Sequence, residues 1–279
     1  MKTLLLDVDS FVYQMAWGHQ QACEWTSELW TYIGDLSAAK IAMRQLISDL
    51  LFATECQSVV VALTCSQGNF RKLVVPTYKG NRLPGMRPVL FKPLRDMLRK
   101  EFGAIEKPWL EGDDVVAMLA GSDTVVCSID KDLETVPCTL YNPNRPGILS
   151  TIEPQTAWLK FYTQVLTGDR TDGYPGCPGL GPVTAPKLFE EEPFDNWWPI
   201  VVRAYEDAGQ SEVEALENAR CAYLLRASDY KDDKVRLWTP PGYEHKWLKL
   251  EPLPADTKAI GGDSGVHREG SDEGGEAPV

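Results

Sequence analysis

Short apolar runs that end in carboxylates mark the first half of the chain. TLLLDV at 3–8, SVVVAL at 58–63 and TVVCSI at 124–129 have the length of strands, and continuous rather than alternating apolarity predicts strands covered on both faces. Between them the period changes. Leu36, Ala39, Met43, Leu46, Ile47, Leu50 and Leu51 share one face of a helix predicted over 35–55. Further along, the pattern predicts a helix near 88–101, a weak strand near 104–109 and a helix start at EGDDVVAMLA. Strands alternating with helices predict an α/β fold with a mostly parallel central sheet flanked by helices. Sites in such sheets form beyond the carboxyl ends of the strands. There the sequence puts Asp7 and Asp9 after one strand, Asp130 and Asp132 after another.

From about 153 the character changes. Residues 155–167 read as a helix, 168–182 are rich in glycine and proline, and helices are expected from about 183 and over 211–226. RLWTP at 236–240 reads as a closing strand. The expected organisation is a core over 1–142, a helical region over 143–253 and a disordered acidic tail over 254–279.

Composition removes several classes. No apolar run approaches the ~20 residues of a membrane span, and the N-terminus lacks the basic-then-apolar order of a leader, so the expectation is a cytoplasmic protein without a membrane partner. The seven cysteines are odd in number and contain no C-x-x-C, which predicts reduced thiols. Only three histidines occur, too few for a His-rich metal site and poorly spread for a Ser–His–Asp triad. A net charge of −12 argues against nucleic acid. Its distribution reverses that inference: residues 71–107 hold ten basic and three acidic side chains, a local excess of +7.

The acids cluster as Asp7-Val-Asp9, Glu111-Gly-Asp113-Asp114, Asp130-Lys-Asp132 and Asp169-Arg-Thr-Asp172. Any one alone reads as a helix cap or a solvated turn. Together they are harder to explain that way, because two carboxylates ~4 Å apart repel by about 4 kcal/mol at an effective dielectric of 20. Converging acids either take up protons or bind cations. Hard oxygen ligands without His or Cys suit Mg²⁺ or Mn²⁺. Two such ions suit hydrolysis of a phosphodiester. Tyr78-Lys79-Gly-Asn-Arg82, followed by Arg87, Lys92, Arg95 and Arg99, reads either as a solvated charged face or as a surface that follows phosphates. The turn Gly176-Cys-Pro-Gly179-Leu-Gly181 before a predicted helix reads either as an ordinary connection or as a backbone cradle for phosphate.

In order, LLLDVDSF, NFRKLVVPTYKGNR, EGDDV, SIDKDL, GDRTDGYPG and GCPGLGPVTAPKLF resemble the phage and bacterial 5′–3′ exonucleases and flap endonucleases, most of all the short podophage enzymes. The likeness spans roughly residues 1–240. It implies a 5′–3′ exodeoxyribonuclease with a two-metal site. Asp7, Glu111 and Asp113 resemble ligands of a first Mg²⁺ or Mn²⁺. Asp130, Asp132 and Asp169 resemble those of a second, with Asp113 between the two ions. Asp114 and Asp172 would orient waters and ligands from behind. Lys79 and Arg82 would contact the scissile phosphate, and Tyr78 would stack on or wedge a base. A basic arch is implied over about 78–107, its passage formed from about Leu83 to Glu101. Gly176, Gly179 and Gly181 resemble the helix–two-turns–helix element, which grips duplex DNA and binds K⁺.

The implied substrate is DNA with 5′ ends or flaps, with RNA–DNA hybrids as a second substrate. The implied state is a monomer, in the host cytoplasm if phage-encoded. One feature departs from the family: ALTCSQGNF has no acid near Thr64 or Cys65, where the family commonly carries an Asp.

Rival readings remain. LLLDVDS and GDRTD also resemble a haloacid-dehalogenase-type phosphatase, but the spacing GDxxD is one residue short and YKGNR, EGDDV and the glycine turn go unexplained. A non-catalytic nucleic-acid-binding module of the same fold finds its support in the missing acid. A PIN-type ribonuclease shares a carboxylate-rich α/β site, but the basic arch and glycine turn favour 5′-end DNA processing.

Overall fold

A computed structural model describes residues 1–81 and 86–251; Arg82 and the expected tail lie outside the described residues. The chain runs β1 (Thr3–Asp7), α1 (Asp9–Gly18), β2 (Gln20–Thr26), β3 (Leu29–Gly34), α2 (Leu36–Thr54), β4 (Ser58–Leu63), α3 (Arg71–Val74), α4 (Phe91–Phe102) and β5 (Ile105–Glu106). It continues through α5 (Gly112–Leu119), β6 (Thr124–Cys127), β7 (Cys138–Tyr141), β8 (Leu149–Ile152), α6 (Pro154–Thr167), α7 (Trp197–Asp207) and α8 (Glu212–Ala222). A small sheet of β9 (Tyr230–Lys231), β10 (Lys234–Leu237) and β11 (Lys246–Lys249) closes it.

The apolar runs become the centre of a six-stranded sheet in the order β5-β4-β1-β6-β7-β8. β1 pairs in parallel with β4, Thr3 opposite Ser58 through Asp7 opposite Ala62, and with β6 on its other side. Because side chains alternate along a strand, Leu4 and Leu6 enter one core with Val61, Leu63, Met43 and Leu94. Leu5 enters the other with Ala62, Val126, Val115 and Phe161. Burial on both faces is why the run is continuous.

The register also aligns the strand ends. Asp7 closes β1, Thr64 follows β4, and Ser128 with Asp130 follows β6, all on one edge.

Three expectations change. β8 lies beyond residue 142 yet joins the same sheet antiparallel to β7, and one core runs from Leu5 to Trp238. The helical region therefore shares the core of residues 1–142. Second, the helix expected from about 183 is only a 3₁₀ turn over Pro186–Phe189, because Pro186 has no N–H to return an α-helical bond. Third, α4 is a core helix with Leu94 and Leu98 fully buried, so the expected arch cannot extend to Glu101. Among the described residues no helix is long and apolar enough to cross a membrane.

Candidate metal centre

Asp7, Glu111, Asp113 and Asp130 line one cavity of about 550 Å³, together with Lys79 and Lys131. Asp7 arrives at the end of β1 and accepts a hydrogen bond from the Ser128 hydroxyl at 3.0 Å. Glu111 stands at the N-cap of α5, one residue before Gly112. Glycine keeps the approach close there: a Cβ on Gly112 would sit 3.1 Å from Asp7 Oδ1 and 3.4 Å from Asp9 Oδ2, and the carboxylates would have to give way. Its absence lets the start of α5 meet the end of β1, and the Gly112 N–H donates to Thr64 Oγ1 at 2.9 Å.

Asp132 and Asp169 border this group. Asp130 accepts from the Asp132 N–H at 2.9 Å, and Asp132 accepts from Gln164 Nε2 at 3.0 Å. Lys131 pairs with Asp169 at 2.9 Å. Asp169 also accepts the N–H groups of Thr171 and Asp172.

The electrostatics follow from this crowding. Burial, then repulsion from Asp9, Asp130 and Glu111, pushes Asp7 up to about 7. Burial and Asp130 push Asp132 up to about 7. Asp113 rises well above the usual carboxylate range through burial, Glu111 and Asp114. Glu111 goes the other way: burial opposes its charge, but Lys79 and Arg71 outweigh it and bring it to about 2. Burial likewise opposes the charge of Asp169, and Lys131 with two backbone N–H groups holds it below the ordinary range. These acids cannot all ionise together without added positive charge. Their all-oxygen donor set fits a divalent cation such as Mg²⁺ or Mn²⁺. Among the described residues, Glu111, Asp113 and Asp114 bring carboxylate oxygens within 4.8 Å of one another.

Asp114 differs from its neighbours. It is fully buried, and the Arg71 guanidinium donates to its two oxygens at 2.7 and 2.8 Å. The Leu225 N–H donates to it as well. It also accepts the Glu111 N–H at 3.3 Å, so it holds both Arg71 and the start of α5 in place. Arg71 in turn donates to the carbonyls of Cys221 and Tyr223 at the end of α8, and to Glu111 at 3.3 Å.

Tyr78 is 2% exposed and cannot stack on or wedge a base. Its hydroxyl donates to Glu111 at 2.9 Å and to Asp172 at 2.8 Å. Burial raises the phenol well above its usual pKa, so it remains a donor. Lys79 adopts φ +54°, and its ammonium reaches Glu111 and lies 3.5 Å from Asp172. Burial opposes its charge, but Glu111, Asp113 and Asp172 raise its pKa.

Part of the basic segment is spent on internal pairing. Arg71 is one case. Arg95, 5% exposed, pairs with Asp9 at 2.6 Å and Glu106 at 3.3 Å, and Arg99 pairs with Asp96 and Glu106. Asp9 also accepts the Thr64 N–H at 2.7 Å, so both of its oxygens are engaged.

The glycine turn lies apart from the cavity. Gly176 is buried at φ +71°, and its N–H donates to Asn218 Oδ1 at 2.9 Å. A Cβ there would overlap the backbone at Gly168, so this glycine serves close packing and its N–H is not available to a ligand. Gly179 and Gly181 have open space beside them.

Sequence reasoning missed Arg71, Ser128 and Gln164 as partners of the acids. Each lies far in sequence from the carboxylate it serves, and no local pattern marks it.

The chain is similar to the exonuclease of Escherichia phage T7, 28% identical over 85% of this chain and 93% of that protein. It is equally similar to the exodeoxyribonuclease of Enterobacteria phage T3, 28% identical over 85% and 92%. No protein-family model matches. In fold it is similar to the flap endonuclease of bacteriophage T5 in a pseudo-enzyme–product complex with DNA and metal ions, with a TM-score of 0.59 at 12% identity over 80% of this chain and 89% of that one. The T5 5′-exonuclease with bound zinc gives 0.60 at 13% identity over the same shares.

Proposed function

We propose that the chain is a metal-dependent 5′ nuclease of the phage and bacterial 5′–3′ exonuclease and flap endonuclease kind, and that it hydrolyses phosphodiesters at DNA 5′ ends with two Mg²⁺ or Mn²⁺ ions, leaving 5′-phosphate products. The observation that carries this reading is the convergence of Asp7, Glu111, Asp113 and Asp130 beside Lys79 in one cavity at the carboxyl edge of the sheet.

In this reading Asp7, Glu111 and Asp113 hold one ion and Asp130, Asp132 and Asp169 the other. Bound divalent ions supply a nucleophile at neutral pH and stabilise charge on the leaving oxygen. Lys79 adds a cation where charge develops on the phosphate. Tyr78 holds Glu111 and Asp172 at fixed separation by donating to both. Arg71 holds Glu111 from behind through its pairing with Asp114. Arg82, three residues after Lys79 in the sequence, is assigned to the phosphate with it. Gly179 and Gly181, with open space beside their α-carbons, are assigned to the DNA strand or K⁺.

Weak sequence preference and strong salt dependence follow from backbone contacts. RNA on DNA is a second substrate, and the protein acts as a monomer in the cytoplasm of the host cell.

The test compares a 5′-end-labelled duplex with a 5′-flap, each in Mg²⁺ and in EDTA, with Asp130→Asn alongside. Metal-dependent loss of 5′ label that the variant lacks is the expected result. DNA binding without cleavage in Mg²⁺ and in Mn²⁺ would establish a binding module instead.

A further inference from the structure

A second cavity, of about 250 Å³, opens next to the first and shares Asp9, Thr64 and Glu111 with it. Its other walls are of a different kind. Tyr13, 39% exposed, packs on Phe91 with ring centroids 4.7 Å apart. The guanidinium of Arg87 lies 5.4 Å from the centre of the Phe91 ring.

The charges in this cavity are not equivalent. Asp9 is engaged by Arg95 and the Thr64 N–H. Glu111 is engaged by Arg71, Lys79 and Tyr78. Arg95 is buried between Asp9 and Glu106. Arg87 is exposed and makes no ion pair among the described residues. It is therefore the cation in this cavity that remains available to an incoming anion, while the lining acids already have partners.

A guanidinium and an exposed aromatic ring that both pack on Phe91 and line one cavity match a phosphate attached to a base. The volume suits one nucleotide rather than a strand. Resting on the nuclease reading above, we propose that this cavity is a subsite for the 5′-terminal nucleotide, with Arg87 on its 5′-phosphate and Tyr13 on its base. The adjoining carboxylates then face the phosphodiester on the 3′ side of that nucleotide. The subsite thereby favours release of one nucleotide at a time.

Equilibrium dialysis of dAMP against the full chain in EDTA tests this without any hydrolysis. The wild type should bind dAMP at least about tenfold more tightly than deoxyadenosine, which lacks the phosphate. Arg87→Ala should abolish that difference. Tyr13→Ala should weaken dAMP about tenfold, and Tyr13→Phe, which keeps the ring, should restore it. These factors correspond to about 1.4 kcal/mol each. Asp130→Asn should leave dAMP binding in place, so loss of hydrolysis and loss of the subsite are read separately. Circular dichroism of each variant excludes misfolding. Absence of saturable dAMP binding, or binding that neither Arg87→Ala nor Tyr13→Ala alters, would overturn the subsite. The nuclease reading would then still stand on its own assay.

Discussion

Arg71 grips Asp114 with two guanidinium nitrogens at 2.7 and 2.8 Å, and both side chains are essentially sealed from water. The same guanidinium caps the carbonyls of Cys221 and Tyr223. Breaking one side of such a pair strands a buried charge. Arg71→Ala should destabilise the fold by about 3–5 kcal/mol in urea denaturation. Arg71→Lys should recover only part of this, since a point charge cannot replace the fork. A loss under about 1 kcal/mol for Arg71→Ala would show that Asp114 finds another partner.

Asp113 should separate activity from stability. Its carboxyl is buried beside Glu111 and Asp114 and resists ionisation. Asp113→Asn should cut turnover on the order of 10²–10³-fold and retain DNA binding. It should also raise the melting temperature of the metal-free protein, because it removes repulsion. Unchanged turnover would remove Asp113 from the metal ligands.

The pH dependence has a defined sign. Asp7 and Asp132 titrate near 7 in the folded protein against 3.8 ordinarily. The metal-free fold therefore keeps protons that the unfolded chain has released between about pH 4 and pH 7, and its stability falls as pH rises through that window. A divalent cation offsets the repulsion. Saturating Mg²⁺ should raise the melting temperature more at pH 8 than at pH 5.5, and its binding near pH 6.5 should release protons to the buffer. Equal Mg²⁺ shifts at both pH values in a thermal scan would contradict this arrangement.

Lys79 lies against Glu111 and Asp172 at the mouth of the cavity. Lys79→Ala should lower turnover on the order of 10²–10³-fold with a small melting shift, because Glu111 retains Arg71 and Tyr78. A large melting shift with normal turnover would make Lys79 structural.

The central strands and the long helix were readable because burial on two faces and helical amphipathicity each leave a local signature. Thr3–Asp7, Leu36–Thr54 and Ser58–Leu63 follow the pattern closely. The β2–β3 hairpin was missed because its residues are mostly exposed and give no apolar alternation. The site was partly readable, since Asp7, Glu111, Asp113 and Asp130 follow strands or open a helix. Their partners were not. Arg95 is a surface cation by local composition and a buried counter-ion once Asp9, 86 residues away, is beside it. Tyr78 reads as an exposed aromatic in a basic loop until its hydroxyl meets two carboxylates. Local charge counting cannot anticipate pairs that the topology makes.

The Arg71 bridge to the end of α8 has a further consequence for how this enzyme can vary. The helices that follow residue 142 supply carbonyls to the same cation that steadies Glu111, so the metal site and those helices share one folding equilibrium. A fragment ending at 142 would leave Arg71 short of two acceptors and strip from the core of Leu5, Ala62 and Val126 the part that Phe161 and the later helices supply. A chimera that exchanges the two parts between relatives would have to carry Arg71, Asp114 and the turn after α8 together, as a single heritable block.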